Sequence, residues 1–466
     1  MRLSHAPSRV TAVFDEPNLV SFAGLAPVMA LAGRAGLADL VADTLTLNVA
    51  GGVNAQVKVP ALVAGMIAGA DSIDDMALLR HGGMGRLFDG IRAPSTLGTF
   101  LRSFTFGHVR QLDAVAAGFL TSLAATTPLL LRDAGAVTYV DIDDTIRATH
   151  GYAKQGAGYG YTHVKGLNAL IAIASTPTSA PVITATRLRK GSTNSARGAA
   201  GLIADALTTT RRCGGDPRAG ALVILRADSA YYGHDVIAAA RRHGARFSVT
   251  ARMTATVKAA IAGISEDSWT PIHYPNAIWD ADEQRLVSDA EVAEVAFTAF
   301  TGRRQSDHIS ARLIVRRVKR LNPKTVEGGQ QSELFSVYRH HAVFTDSPYP
   351  MLDAEACHRG HAIVEQVHSD LKNGPLAHLP SGRFAANGAW LVLAAMAFNL
   401  TRAAGALASA FHAKATTATL RTQLIAVPAR LARSAGTLAM HLPVDWPWEH
   451  LWSQMFTAAA HPPTPR

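Results

Sequence analysis

Five acidic residues stand where a carboxylate could do chemistry. Asp141, Asp143 and Asp144 follow the apolar run Val137-Thr138-Tyr139-Val140, and Asp228 follows a second run at 221–225. Glu365 lies on a polar stripe: at about 100° per residue, His358, His361, His368 and Lys372 all fall within about 60° of it on a helix. Carboxylates at strand ends are held by a sheet yet open to ligand. Three of them together supply hard oxygen donors suited to divalent cations. Taken singly, each has a plainer role. Asp143 or Asp144 could cap a turn, Asp228 could be an N-cap, and the Glu365 stripe could be a solvated face.

The elements that must position these groups form an α/β pattern. Short apolar runs at 137–140, 167–174 and 182–188 read as strands, with the first ending at Asp141. A helix at 202–208, a strand at 221–225, a helix at 235–243 and a strand at 247–249 follow. Strands, then alternating helices and strands, make a sheet domain over 133–263. Residues 264–346 read as a β-rich insertion. A helix from 353 to 372, stopped by Asn373-Gly374-Pro375, opens the segment 347–402. Residues 1–132 read as a helical N-terminal domain, either a DNA-end-binding unit or a plain helical scaffold, and 403–466 as C-terminal helices with a Pro-rich tail.

Composition narrows the class. The 466 residues carry 45 Lys+Arg against 35 Asp+Glu, a net charge of +10, and only nine of the basic residues are Lys. An Arg-dominated basic protein suits phosphate and hence nucleic acid. With 48% hydrophobic and 17% charged residues the chain is not disordered. Two cysteines, Cys213 and Cys357, give neither zinc nor disulfide spacing, which points to a reducing cytoplasm. No signal peptide is evident. The longest apolar stretch, 389–400, is too short to span a bilayer and reads as a core helix.

The motifs Asp141-Ile142-Asp143-Asp144-Thr145, Gly158-Tyr159-Gly160-Tyr161, Leu225-Arg226-Ala227-Asp228-Ser229, Ile363-Val364-Glu365-Gln366 and Asp370-Leu371-Lys372-Asn373-Gly374 are specific as a set. With Ala386-Asn387-Gly388-Ala389-Trp390 and Phe398-Asn399-Leu400-Thr401-Arg402, the chain resembles DDE insertion-sequence transposases, of the thirteen-eighty-type group, from about 141 to 402. The resemblance implies a ribonuclease-H-like catalytic core with a β-rich insertion, and Asp143, Asp228 and Glu365 as catalytic and metal-holding acids. Asp-x-Thr favours Asp143 as the first acid, with Asp141 as the alternative. A Tyr-x2-Arg-x3-Glu-x6-Lys signature maps onto His358, His361, Glu365 and Lys372. Here His replaces both Tyr and Arg, and neutral imidazole is the poorer phosphate partner.

What the resemblance further implies is cut-and-paste DNA transposition. Two Mg²⁺ ions per site, with Mn²⁺ able to substitute, would serve water attack on the transposon end and then 3′-OH attack on target DNA. The partners would be double-stranded terminal inverted repeats and target DNA, bound by a dimer, with no membrane. The protein would be cytoplasmic and associated with the nucleoid when on DNA. Further DNA contacts are expected from Arg189 and Lys190 in a loop near the sheet. Arg316, Arg317 and Arg320 in the insertion join them, with Trp269 for base stacking and Trp279 nearby; a solvated, aggregation-resistant edge is the plainer account of that cluster. Three rivals stand beside this reading, one of them a metal oxidase built from Glu355-x-x-His358 and Glu365-x-x-His368, although that site needs two facing helices. Asp141-x-Asp143-x-Thr145 also matches haloacid-dehalogenase-type phosphohydrolases, with Asp141 as nucleophile. A transposase-derived DNA-binding protein without catalysis is the third.

Overall fold

The apolar run that begins at Val137 does not end at Asp141. In the computed structural model, β1 spans Val137–Ala148, because β2 (Lys165–Ser175) pairs antiparallel beside it from Tyr139↔Ser175 to Ala148↔Gly166. The expected strand end is corrected: the three aspartates lie within a strand whose backbone is satisfied by its neighbour. The structure describes all residues except 151–152, 161–162, 274–278, 281–284, 287–289, 320–337, 435 and 461–466.

β3 (Val182–Lys190) pairs with the other edge of β2. Helix α1 (Ala199–Arg212) leads to β4 (Leu222–Ala227), which lies parallel to β1. Helix α2 (His234–Arg242) leads to β5 (Arg246–Thr250), parallel to β4. The order β3-β2-β1-β4-β5 is a mixed sheet, the ribonuclease-H-like core that the resemblance implied. Leu202, Ile203 and Ala206 of α1 and Val236, Ile237 and Ala240 of α2 are buried on Val140, Ile142, Leu225 and Phe247. Each large apolar side chain so buried contributes about 1.5–3 kcal/mol, so the strands that carry the acids are firmly held.

The region expected as an insertion extends this same sheet. β6 (Thr270–Ile272), β7 (Ala290–Ala299), β8 (Ile309–Lys319) and β9 (Tyr338–Thr345) join it at β5, in the order β5-β9-β8-β7-β6. Alternation divides their faces. Val295, Phe297, Leu313 and Val315 join the main core, while Val292 and Ile314 pack on Ala354. Ala354 belongs to α3 (Met351–Arg359), which passes through a 3₁₀ turn (Gly360–Ala362) into α4 (Ile363–Lys372). The single helix expected over 353–372 is therefore interrupted at Gly360.

The chain divides into two units, Ala116–Leu371 and a second made of Met1–Val115 with Lys372–Arg466. In the second, helix Phe384–Ala408 packs against Leu25–Arg34, Ala55–Ala68, Pro94–Arg102 and Glu449–Ala460. Strand Leu19–Val20 pairs with Ala429–Ser434. The expected boundary after residue 402 falls inside Phe384–Ala408 and is corrected, because this helix is buried on nearly all sides and needs cover from both chain ends. It is long and apolar enough to cross a membrane, yet 94% of its most apolar window is buried within the protein. It is a core helix.

Candidate active site

The parallel register of β1 and β4 sets the first two acids side by side. Asp141 pairs with Arg226 and Ile142 with Ala227, so the next positions along the two strands are Asp143 and Asp228. Asp228 leaves β4 as the N-cap of the turn Ser229–Tyr231, accepting the Ala230 N–H at 2.9 Å. Asp143 accepts the Asp144 N–H at 2.7 Å. Burial, reinforced by the Asp228 and Asp144 charges, pushes the Asp143 carboxyl up to about 7. Burial raises Asp228 as well. Partly out of water and beside Asp228, the Asp143 carboxylate is disfavoured in its charged form.

Their neighbours are compensated. Asp141 is fully buried, and Arg226 donates to its two oxygens through Nε and Nη2, both at 2.7 Å. Burial alone would raise its carboxyl, but Arg226 and His361 hold it below the usual range. Asp144 points to the other face of β1. It accepts from Arg189 Nη2 at 2.6 Å, from the Tyr231 hydroxyl at 3.0 Å, from Ser195 and from Asn168. The run therefore assigns three acids three settings. Asp141, left open as the first acid and required as nucleophile by the phosphohydrolase reading, is sealed by Arg226. Asp143 is the one whose carboxyl is raised, by burial and by the Asp228 and Asp144 charges.

Glu365, expected as the third acid, lies on α4. His361 Nδ1 lies 3.0 Å from Asp141 Oδ1 and His368 Nδ1 lies 3.7 Å from Asp143 Oδ2, so this helix face addresses β1. Glu365 sits between the two histidines in sequence, on the same face, and is exposed to solvent. Among the described residues no group of three or more His, Cys, Asp or Glu side chains is gathered closely enough to hold a metal ion. Glu365 is thus not drawn in to Asp143 and Asp228. The carboxylate oxygens of those two acids, on adjoining strands, nonetheless suit a hard divalent cation.

Several expected DNA contacts are spent elsewhere. His358 is buried, its Nδ1 3.0 Å from the Ser248 hydroxyl and its Nε2 2.9 Å from that of Thr250. Burial, with the nearby His361 and Arg226 charges, lowers it to about 3, so it is a neutral internal strut and not a phosphate ligand. His361 is committed to Asp141. Arg189 is buried, bonded to Asp144, Asn168 and the carbonyls of Ser195 and Arg197. Arg317 is buried, donates to Glu291 and to both oxygens of Glu266, and lies 4.2 Å from the Trp269 ring centre and 4.5 Å from that of Tyr338. One Trp269 face is therefore covered by Arg317 and is not offered to a base. Arg316, on the opposite face of β8, lies 3.6 Å from Glu355. Lys190 is exposed at the end of β3, and Lys372 closes α4 partly buried. Arg320 and the Trp279 side chain lie outside the described residues.

Arg226, within the motif Leu225-Arg226-Ala227-Asp228-Ser229, is a site-building residue that the motif alone does not single out. Its signal was parity: it precedes Asp228 by two, as Asp141 precedes Asp143 by two, so parallel pairing puts it beside Asp141. Glu291 and Glu294 could have been found the same way, as acids on the strand antiparallel to the Arg-rich β8.

The family described as transposase DDE domain group 1 matches residues 4–463 of the chain. No curated protein matches it.

Proposed function

Because the chain belongs to the transposase DDE domain group 1 family, we propose that it cuts and rejoins DNA in cut-and-paste transposition, with Asp143, Asp228 and Glu365 as the reactive acids. The observation that carries this reading is the β1–β4 register, which sets Asp143 beside Asp228 at the point where β4 ends. Divalent cations, when bound, would supply charge for the scissile phosphate and the leaving oxygen. Asp143 and Asp228 would hold them, and Glu365 would complete the set from α4. His368, 3.7 Å from Asp143, restrains that carboxylate from the helix side. The partners in this reading are transposon ends and target DNA, engaged by a dimer. Lys190 and the exposed Arg304, at the turn between β7 and β8, are the cations offered to phosphate.

The test is strand cleavage on a plasmid carrying the DNA that flanks the gene on both sides. Cleavage is expected with Mg²⁺ or Mn²⁺ and none in excess chelator. Asp143→Asn, Asp228→Asn and Glu365→Gln should each abolish cutting while end binding persists. Full cleavage in chelator would falsify the metal-dependent mechanism.

A further inference from the structure

Arg226 touches three elements at once. It projects from β4, binds both oxygens of Asp141 on β1 at 2.7 Å, and donates through Nη1 to the Cys357 carbonyl on α3 at 2.7 Å. Its guanidinium also lies 4.3 Å from the Tyr139 ring centre. The side chain is 4% exposed and its partner carboxylate 0%. Asp141 reaches the same helical segment again through His361. Between Cys357 and His361 stands Gly360, in the 3₁₀ turn that separates α3 from α4. A Cβ there would come within 2.6 Å of Arg226 Nη1, so only glycine lets the guanidinium reach the carbonyl. A 3₁₀ stretch between two helical segments is a common site of a hinge or of local strain.

A pair buried this deeply adds little net stability over apolar residues of the same shape. What it fixes is direction. Glu365 lies one helical turn beyond His361, and its distance from Asp143 and Asp228 depends on how the α3–α4 turn meets β1 and β4. We infer that Arg226 and Asp141, with Gly360 and His361, are positioning residues that latch the Glu365 helix to the two strands carrying the other acids. This rests on the reading of Asp143, Asp228 and Glu365 as the metal-holding set. Asp141, two residues before the reactive Asp143, serves by orienting the site and not by joining it.

The test replaces the ion pair by apolar residues of similar shape, Asp141→Leu with Arg226→Met, in the full chain. Three readouts are taken: the urea midpoint, Mn²⁺ affinity by electron paramagnetic resonance without DNA, and the single-turnover cleavage rate. The midpoint should stay close to the parent's, while Mn²⁺ affinity falls about 10- to 100-fold and cleavage about 100-fold. Adding Glu365→Gln to this double variant should weaken Mn²⁺ no further, because both changes remove the same ligand. Parent-like Mn²⁺ affinity and cleavage, or a full additional loss from Glu365→Gln, overturns the latch. If the double variant does not fold, Gly360→Ala displaces the guanidinium without altering charge; parent-like Mn²⁺ affinity there overturns it equally. The underlying reading fails separately, if Glu365→Gln alone leaves Mn²⁺ affinity unchanged or Asp143→Asn still cuts.

Discussion

Asp141 and Asp143 share one face of one strand and live in opposite electrostatic surroundings, so the same substitution should act on them in opposite ways. Asp141→Asn leaves Arg226 buried opposite a neutral group and should lower the unfolding free energy by about 3–5 kcal/mol. Asp143→Asn removes a charge that burial, Asp228 and Asp144 all disfavour. It should hold or raise the thermal midpoint of the metal-free protein while ending cleavage. Urea and thermal melts of the two variants decide this, and a stable Asp141→Asn would mean the Arg226 pair is looser than its geometry. His358 gives a pH signature. Its folded value of about 3 lies below the roughly 6.5 of an unfolded chain. Its contribution is therefore complete above pH 6.5 and is lost as pH falls toward 3, because only the unfolded chain takes the proton. Between pH 7 and 5 the parent should lose about 2 kcal/mol more than His358→Gln. Equal slopes in the two proteins would show that the imidazole is protonated in place.

At the scale of elements, β8 shows how a basic run can be structural. Arg312 is paired with Glu294, Arg316 lies by Glu355, and Arg317 is held between Glu291 and Glu266. An exposed Arg that meets phosphate contributes about 0.9 to the slope of log K against log salt. Arg317→Ala should leave that slope for DNA unchanged, whereas Lys190→Ala should reduce it by about one unit. Titrations of both variants at several salt concentrations test this; a drop of one unit in Arg317→Ala would show that the Glu contacts open on DNA. The same strand shows what the sequence could and could not reveal. Strand positions and the α/β order were legible, because burial alternates with the period of the element, and the motif around Asp141, Asp143 and Asp228 marked the adjoining strands β1 and β4 as the place to look for a site. The setting of Arg317 was not legible because its partners lie outside its own strand, Glu291 on β7 and Glu266 in the turn before β6, and pairing register is not written in any one strand. The extent of β1 was missed for a related reason. Three aspartates look like a strand end until β2 is seen to run alongside them.

Over the whole molecule, the two ends of the chain make one unit, and no local pattern announces that. The last helix, Glu449–Ala460, is short and buries Trp452, Met455 and Ala459. It packs against Leu25–Arg34 and Phe384–Ala408, and Arg34 donates to its final carbonyls, including that of Ala459 at 2.8 Å. A cation at a helix C-terminus satisfies groups that have no partner within the helix. Truncating the chain before Glu449 would remove all of this at once. Loss of one large buried side chain to a cavity costs about 3–5 kcal/mol, and here two are lost together with the Arg34 contacts. A domain is stable by only about 5–15 kcal/mol, so the unit should be left near its unfolding threshold. Amide hydrogen exchange reads the outcome by segment. Leu25–Arg34 and Phe384–Ala408 should lose most of their protection in the truncated chain, though they lie hundreds of residues apart in one case and about forty in the other from the deleted helix. Retained protection in both segments would show that the C-terminal helix merely covers the unit and does not hold it together.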